Sequence, residues 1–122
     1  MRKRVRQDLP IIVLGLTGYI SRGRKAKDIE QAVRQLSPAE AGLHIVVDLQ
    51  RVTGIQRIWF PSLLAATLTT RDRGRRLIIV GVTAEIKRLF QETRLEPHFE
   101  FAADVKEAAE WIRQLEAVPT SR

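Results

Sequence analysis

Three short aliphatic runs, LPIIVLGL at 9–16, LHIVVDL at 43–49 and LIIVGV at 77–82, set most of what this chain can become. Each carries Ile, Val or Leu at consecutive positions, so a strand made from it has to be covered on both faces. None approaches the roughly 20 apolar residues that span a bilayer. Between and after the runs the apolar period changes from 2 to 3.6. Ile29, Ala32, Val33 and Leu36 recur at helical spacing over 28–36, and Phe60, Leu63, Leu64, Thr67 and Leu68 over 59–70. Pro61 fits only the first turn of that second helix, and Gly74 stops it. Thr83 caps a third helix that carries Ile86, Leu89 and Phe90, with Glu85 in its first turn. Asp104 and Glu107 cap a fourth, with Val105, Ala108, Ala109, Ile112 and Leu115 on its stripe. Ser37-Pro38-Ala39-Glu40 has the form of a capping box, but Gly42 follows so soon that it makes one helical turn or a tight connection. Residues 2–7 add a short edge strand, with Pro10 near the start of the next, and 99–101 a last short strand.

The order (β)β–α–β–α–β–α–β–α predicts an α/β fold with a mixed, mostly parallel sheet of four or five strands and about four helices. The three aliphatic runs are its interior strands. One domain over residues 1–118 accommodates all of this, with 119–122 as a frayed tail. A chain of 122 residues buries a sufficient core without staples.

The absence of cysteine excludes disulfides, thiolate metal sites and cysteine catalysis. His44 and His98 are the two histidines, and no carboxylates cluster with them, so no metal is expected. His44 points away from the Leu43, Ile45 and Val47 face and His98 follows Pro97 in a turn; both read as structural. No glycine-rich phosphate motif and no Ser/His/acid set is present, so neither a cofactor nor an enzymatic activity is expected. Asp48 ends its run where α/β folds place working carboxylates, which is equally where an acid fixes the following loop. No secretory pattern opens the chain, so a cytoplasmic location is expected.

The net charge of +7 is uneven: residues 1–83 hold fifteen Lys and Arg against six Asp and Glu. It gathers in three knots, Arg2–Arg6, Arg22–Lys27 and Arg71–Arg76. Such knots attract phosphate, but they fall on separate turns with no recognition helix or aromatic strip. Weak, non-selective nucleic-acid binding is one reading of them; no specific nucleic-acid partner is expected.

The stretch 51–64, RVTGIQRIWFPSLL, is unusual. Ile58, Trp59 and Phe60 stand together where a strand's exit enters a helix. Successive helical side chains point about 100° apart, so a helix start buries one or two of the three. Trp59 is the one expected to remain exposed, as an interface anchor beside Arg57.

From His44 to Ala108 the chain resembles the STAS domain, the fold of bacterial anti-sigma factor antagonists. The resemblance rests on the VVDL strand, V-T-x-I, an apolar helix, R-G-R-R-L-I-I-V-G, the helix starting at Thr83, and the L-x-x-x-F and D-V-x-E-A ending; residues 9–18 resemble the family's early strand. It implies a non-catalytic domain that binds a protein partner, an anti-sigma kinase or a subunit of a signalling complex, with a homodimer left open. Phosphoregulated members carry Asp-Ser-Ser-Gly, or a close variant, after V-T-x-I. Here those positions are Gln56, Arg57, Ile58 and Trp59, so no hydroxyl stands at the position the family phosphorylates. Ser62, about one helical turn on, is the nearest hydroxyl and a weak phosphorylation candidate. The partner surface implied is Gln56, Arg57, Ile58, Trp59, Phe60 and Ser62, flanked by Arg22 and Arg24. The function implied is a constitutive regulator or scaffold in signalling and transcription control. An accessory subunit of an ABC lipid-transport system is the alternative within the fold.

Overall fold

The computed structural model describes residues 1–6, 8–21 and 24–117, with side chains 24–27 and 117 left aside. The tail expected over 119–122, and Arg22 with it, lie outside the described residues. Five strands, β1 (Arg2–Val5), β2 (Ile11–Ile20), β3 (His44–Ile55), β4 (Leu77–Val80) and β5 (Glu100–Ala102), form one sheet in the order β1-β2-β3-β4-β5. β1 runs antiparallel to β2, and the remaining pairs are parallel. The helices are α1 (Arg24–Arg34), α2 (Trp59–Asp72), α3 (Ala84–Glu92) and α4 (Val105–Ala117). The mixed, mostly parallel α/β fold is the one the alternation of patterns predicts.

Sheet order repeats chain order, so each parallel crossover advances the same way. A right-handed crossover then puts every connecting helix on the same face. That face holds the larger core: Ile12, Leu14, Ile45, Val47 and Ile79 from the sheet, against Ile29 and Val33 of α1, Trp59, Phe60 and Leu63 of α2, and Ile86 and Phe90 of α3. α4 lies alone on the other face. Ala108, Ala109 and Ile112 pack there on Ile11, Val13, Val46, Ile78 and Val80. Every buried strand residue thus has a helix above or below it, as the continuous aliphatic runs require.

Several boundaries differ from expectation. β2 does not close at Thr17-Gly18, and β3 does not end at Leu49. Both continue and pair to Ile20 and Ile55, with register shifts between Gly15 and Thr17 and between Gly18 and Tyr19. These bulges let β3 carry two more residues than β2 over the same span, and the pair continues past Asp48, where β3 and β4 stop pairing. The V-T-G-I segment is therefore strand, and the Tyr19 ring occupies the space above Gly54 that a Cβ would take. α1 begins at Arg24, ahead of the expected 28, because good helix formers extend a helix past its apolar stripe. In α2 the buried side comprises Trp59, Phe60, Ser62, Leu63, Ala66, Thr67 and Thr70, and Leu68 faces solvent. The Thr67 and Thr70 hydroxyls donate to the carbonyls of Leu63 and Ala66, both at 2.8 Å, which makes burial of those polar groups tolerable.

The expected caps are present. Thr83 Oγ1 accepts from Ile86 N–H, and Asp104 Oδ1 accepts from Glu107 N–H at 2.8 Å. Ser37 and Glu40 exchange the two bonds of a capping box ahead of a single 3-10 turn, Glu40–Gly42. Gly74 follows α2 with φ +73°, the left-handed stop typical of a helix end.

Candidate functional site

The bent end of β3 delivers the chain from Ile55 into α2 through a tight turn. Trp59 N–H donates to Gln56 C=O at 3.0 Å and Phe60 N–H to Arg57 C=O at 3.1 Å. Of the three consecutive large residues, two are buried and one is not, as the angular argument requires. The exposed one is Ile58 at 53%, while Trp59 is fully buried at 0% and Phe60 is buried with it. Ile58 is the N-cap residue and already has helical dihedrals, so its side chain points about 100° away from that of Trp59 and is left outside the core. Trp59 turns inward, its ring edge-on to Phe60 at 6.1 Å, and Phe60 in turn meets Phe90 of α3 at 4.7 Å. Both rings gain more from leaving water than the isoleucine side chain does, and they are the two that are buried. The expectation of an exposed Trp59 anchor is thus corrected.

Around Ile58 the surface dips into a shallow cleft of about 400 Å³, lined by Ile55, Gln56, Arg57, Ile58 and Leu89 of α3. Gln56 is half-buried and Arg57 exposed. The Arg57 guanidinium donates to Glu92 Oε1 of α3 at 2.9 Å, so the cation at the α2 start is met by a carboxylate of its own chain. Phe60 and Ser62, both expected at the contact surface, are buried. Ser62 Oγ donates to Glu30 Oε1 of α1 at 3.4 Å, beneath the entrance instead of on it. Arg24 opens α1, and its side chain lies outside the described residues. Ile55 and Leu89 complete the cleft and Glu92 pairs with Arg57 beside it; none of the three was expected as a site residue from the sequence. Leu89 borders the α3 stripe, which is a weak signal, and nothing local links Glu92 to Arg57.

The other candidates have structural employment. His44 is 2% exposed; its Nδ1 accepts from Arg76 N–H at 3.0 Å, and Nε2 lies 3.1 Å from Glu116 Oε1 of α4. An acceptor Nδ1 leaves the proton on Nε2, so the neutral ring donates to Glu116. Burial holds the His44 pKa below its usual value, against the opposing pull of Glu116, and Arg75 and Arg76 push the same way as burial. The unfolded chain therefore binds a proton at higher pH than the folded one. Stability is expected to be complete above about pH 6.5 and to decline as pH falls below it. Urea denaturation of the wild type and His44→Gln between pH 7.5 and 5 checks this, and the decline should be shallower in the variant.

Asp48 is mid-strand, not at a strand end. Its Oδ1 accepts from Gln50 N–H at 2.9 Å where β4 stops pairing, which is the loop-fixing role at a bend within the strand. His98 is exposed in a 3-10 turn. The third basic knot is bound up in the fold: Arg71 donates to His98 C=O, Arg73 to Val33 C=O at 3.0 Å and Arg75 to Gly42 C=O at 2.8 Å. Arg76 pairs with Glu100 of β5. Among the described residues no group of three or more acidic or histidine side chains is placed to hold a metal, and no helix is long and apolar enough to cross a membrane.

Five strands form one sheet, covered by three helices on one face and one on the other, with an apolar cleft at a helix entrance. The family model for the STAS domain matches residues 2–108, and the chain belongs to that family. A comparison with curated proteins finds no match. Among solved structures, a Thermotoga maritima protein assigned as an anti-sigma factor antagonist superposes with a TM-score of 0.73 at 14% identity, over 92% of this chain and 93% of its own. The anti-sigma factor antagonist SpoIIAA in its unphosphorylated form gives 0.62 at 13% identity, over 96% of this chain and 100% of its own. A sulfate transporter family protein from Wolinella succinogenes gives 0.73 at 14% identity, over 95% and 93%. At such identities the likeness is one of fold.

Proposed function

We propose that this protein is a non-catalytic interaction domain of the anti-sigma factor antagonist kind, a constitutive regulator or scaffold whose partner docks at the α2 entrance without phosphate control. One observation carries the reading. An isoleucine, 53% exposed beside an apolar cleft, stands where phosphoregulated relatives of this resemblance present a hydroxyl. Ile58 has no atom to take a phosphoryl group, and an exposed aliphatic side chain over Ile55 and Leu89 gains by being covered. Ser62 is no substitute. It is 7% exposed against Glu30, where a phosphate of about −2 charge would face a carboxylate.

The partner, on this reading, brings an apolar side chain to the cleft and a carboxylate that competes with Glu92 for Arg57. The test is capture of the partner from cells that make this protein, then affinity measurement with purified components. Ile58→Asp is expected to weaken the complex by roughly 2 kcal/mol, about thirtyfold in Kd, with the melting temperature unchanged. Incubation with an anti-sigma kinase and ATP should leave the intact mass unaltered. A stoichiometric phosphate at the entrance, or wild-type affinity for Ile58→Asp, overturns the proposal. Capture of an ABC nucleotide-binding subunit would favour the transport alternative instead.

A further inference from the structure

β1 stands at one end of the sheet order, and all of its residues are exposed. Its pairing with β2 fixes which of its main-chain groups are used. Arg6 N–H donates to Ile11 C=O at 2.9 Å, in register with the pairs Arg4↔Val13 and Arg2↔Gly15. In an antiparallel ladder, bonded and non-bonded pairs alternate. Arg2, Arg4 and Arg6 therefore turn their N–H and C=O toward β2, while Lys3 and Val5 turn theirs outward. No strand or loop among the described residues bonds to those outward groups. They form an open edge of alternating donors and acceptors.

The side chains select what can occupy that edge. Cross-strand partners share a face, so Arg2 and Arg4 lie on the α4 face with Gly15 and Val13. Lys3 and Val5 lie on the opposite face with Leu14 and Ile12. There the charge is met and the apolar surface is not: Lys3 pairs with Glu40 at 3.1 Å, and Val5 is 45% exposed. On the α4 face, Arg2 and Arg4 have no side-chain acceptor among the described residues. A second copy of β1 would set Arg-Lys-Arg against Arg-Lys-Arg, and like charges facing each other destabilise a ladder. A nucleic-acid backbone meets the arginines but brings no amide ladder to Lys3 and Val5. An extended peptide with a carboxylate at every second position meets both. Its acids fall beside Arg2 and Arg4, and its alternate, apolar side chains fall beside Val5.

We propose that β1 takes an acidic, extended segment of a partner protein as an added strand on its outer edge. The contact is made through main-chain groups of the sheet edge, leaves the α2 entrance free and stands independently of the docking reading.

Val5 allows a test aimed at the ladder. Its N–H points outward, so Val5→Pro removes a donor from the open edge without taking one from β2. The probe is a synthetic peptide of about eight residues that alternates glutamate and valine. Titration followed by amide NMR should show saturable one-to-one binding, with the Lys3 and Val5 amides shifted and slowed in hydrogen exchange. Val5→Pro should melt like the wild type and bind the peptide roughly tenfold more weakly. Arg2→Glu combined with Arg4→Glu should lose this peptide and gain one that alternates lysine and valine. The glutamate–valine peptide N-methylated along its backbone, its charge unchanged, should not bind the wild type. That control reads the ladder even where Val5→Pro fails to fold. Absence of binding at about 2 mM peptide overturns the proposal. So does equal binding of the N-methylated peptide, or wild-type affinity in Val5→Pro, since either reduces the edge to a patch of charge.

Discussion

Trp59→Ala is expected to lower folding stability by about 3–5 kcal/mol, the usual range for emptying a fully buried large aromatic site. The side chain is 0% exposed and begins an edge-on chain of rings that runs through Phe60 to Phe90. Phe90 meets Phe99 and Phe101 as well, at 5.4 and 5.0 Å. An alanine at 59 leaves a cavity at the point where α2 meets the sheet, and the melting temperature should fall by roughly 10 °C or more. Trp59→Phe separates packing from polarity. The indole Nε1 is buried without a hydrogen-bond partner among the described residues, so discarding that N–H removes an unmet desolvation cost while keeping a ring in place. The phenylalanine variant should therefore lose less than half of what the alanine variant loses. Urea denaturation of both decides it. Wild-type midpoints for Trp59→Ala would place the indole at the surface after all.

The second large effect is expected at Gly81. Its φ is +74°, and a Cβ added there would lie 2.7 Å from Gln50 N and 2.9 Å from Gln50 Cα, both backbone atoms of β3. That nitrogen is the one whose hydrogen Asp48 holds. Left-handed strain alone costs about 1–3 kcal/mol, and backbone overlap adds to it, so Gly81→Ala should cost about 3 kcal/mol or more. Two other glycines serve as controls. Gly74 has φ +73° but open space around it, so Gly74→Ala should cost only about 1 kcal/mol. Gly42 has neither constraint, and Gly42→Ala should be within about 0.5 kcal/mol of the wild type. Thermal melts that rank the three otherwise would remove the close approach as the cause.

Patterns with a local cause were legible in the sequence. The aliphatic runs marked the interior strands, because only a covered sheet buries Ile and Val on both sides. Thr83, Asp104 and Gly74 marked helix ends, because each acts on its own backbone within a few residues. What escaped depended on partners distant in sequence. The extension of β2 past Thr17 and of β3 past Leu49 is set by their mutual register shifts, which no single strand displays. The ring that Phe60 packs on beside Trp59 is Phe90, and the partner of Arg57 is Glu92, each thirty or more positions on. The dense charge of Arg71–Arg76 looked available for phosphate, yet its guanidiniums are spent on carbonyls of α1's last turn, the Glu40–Gly42 turn and the His98 turn. The sparser pair Arg2 and Arg4 has no side-chain acceptor among the described residues, because β1 alternation sends Lys3 to the opposite side, toward Glu40.

The identity of sheet order and chain order bears on how the molecule assembles during synthesis. Each parallel strand that emerges from the ribosome finds its neighbour already laid down, with the connecting helix available to seal the new contact before the next strand appears. Growth of this kind, one βα unit at a time from the amino-terminal hairpin, keeps the loops that must close short and never inserts a late strand between two early ones. The vulnerable interval is the one after β4 has docked and before Glu100–Ala102 covers it. During that interval the all-aliphatic Leu77–Val80 is an open edge, and pairing with another chain competes with completion of the sheet.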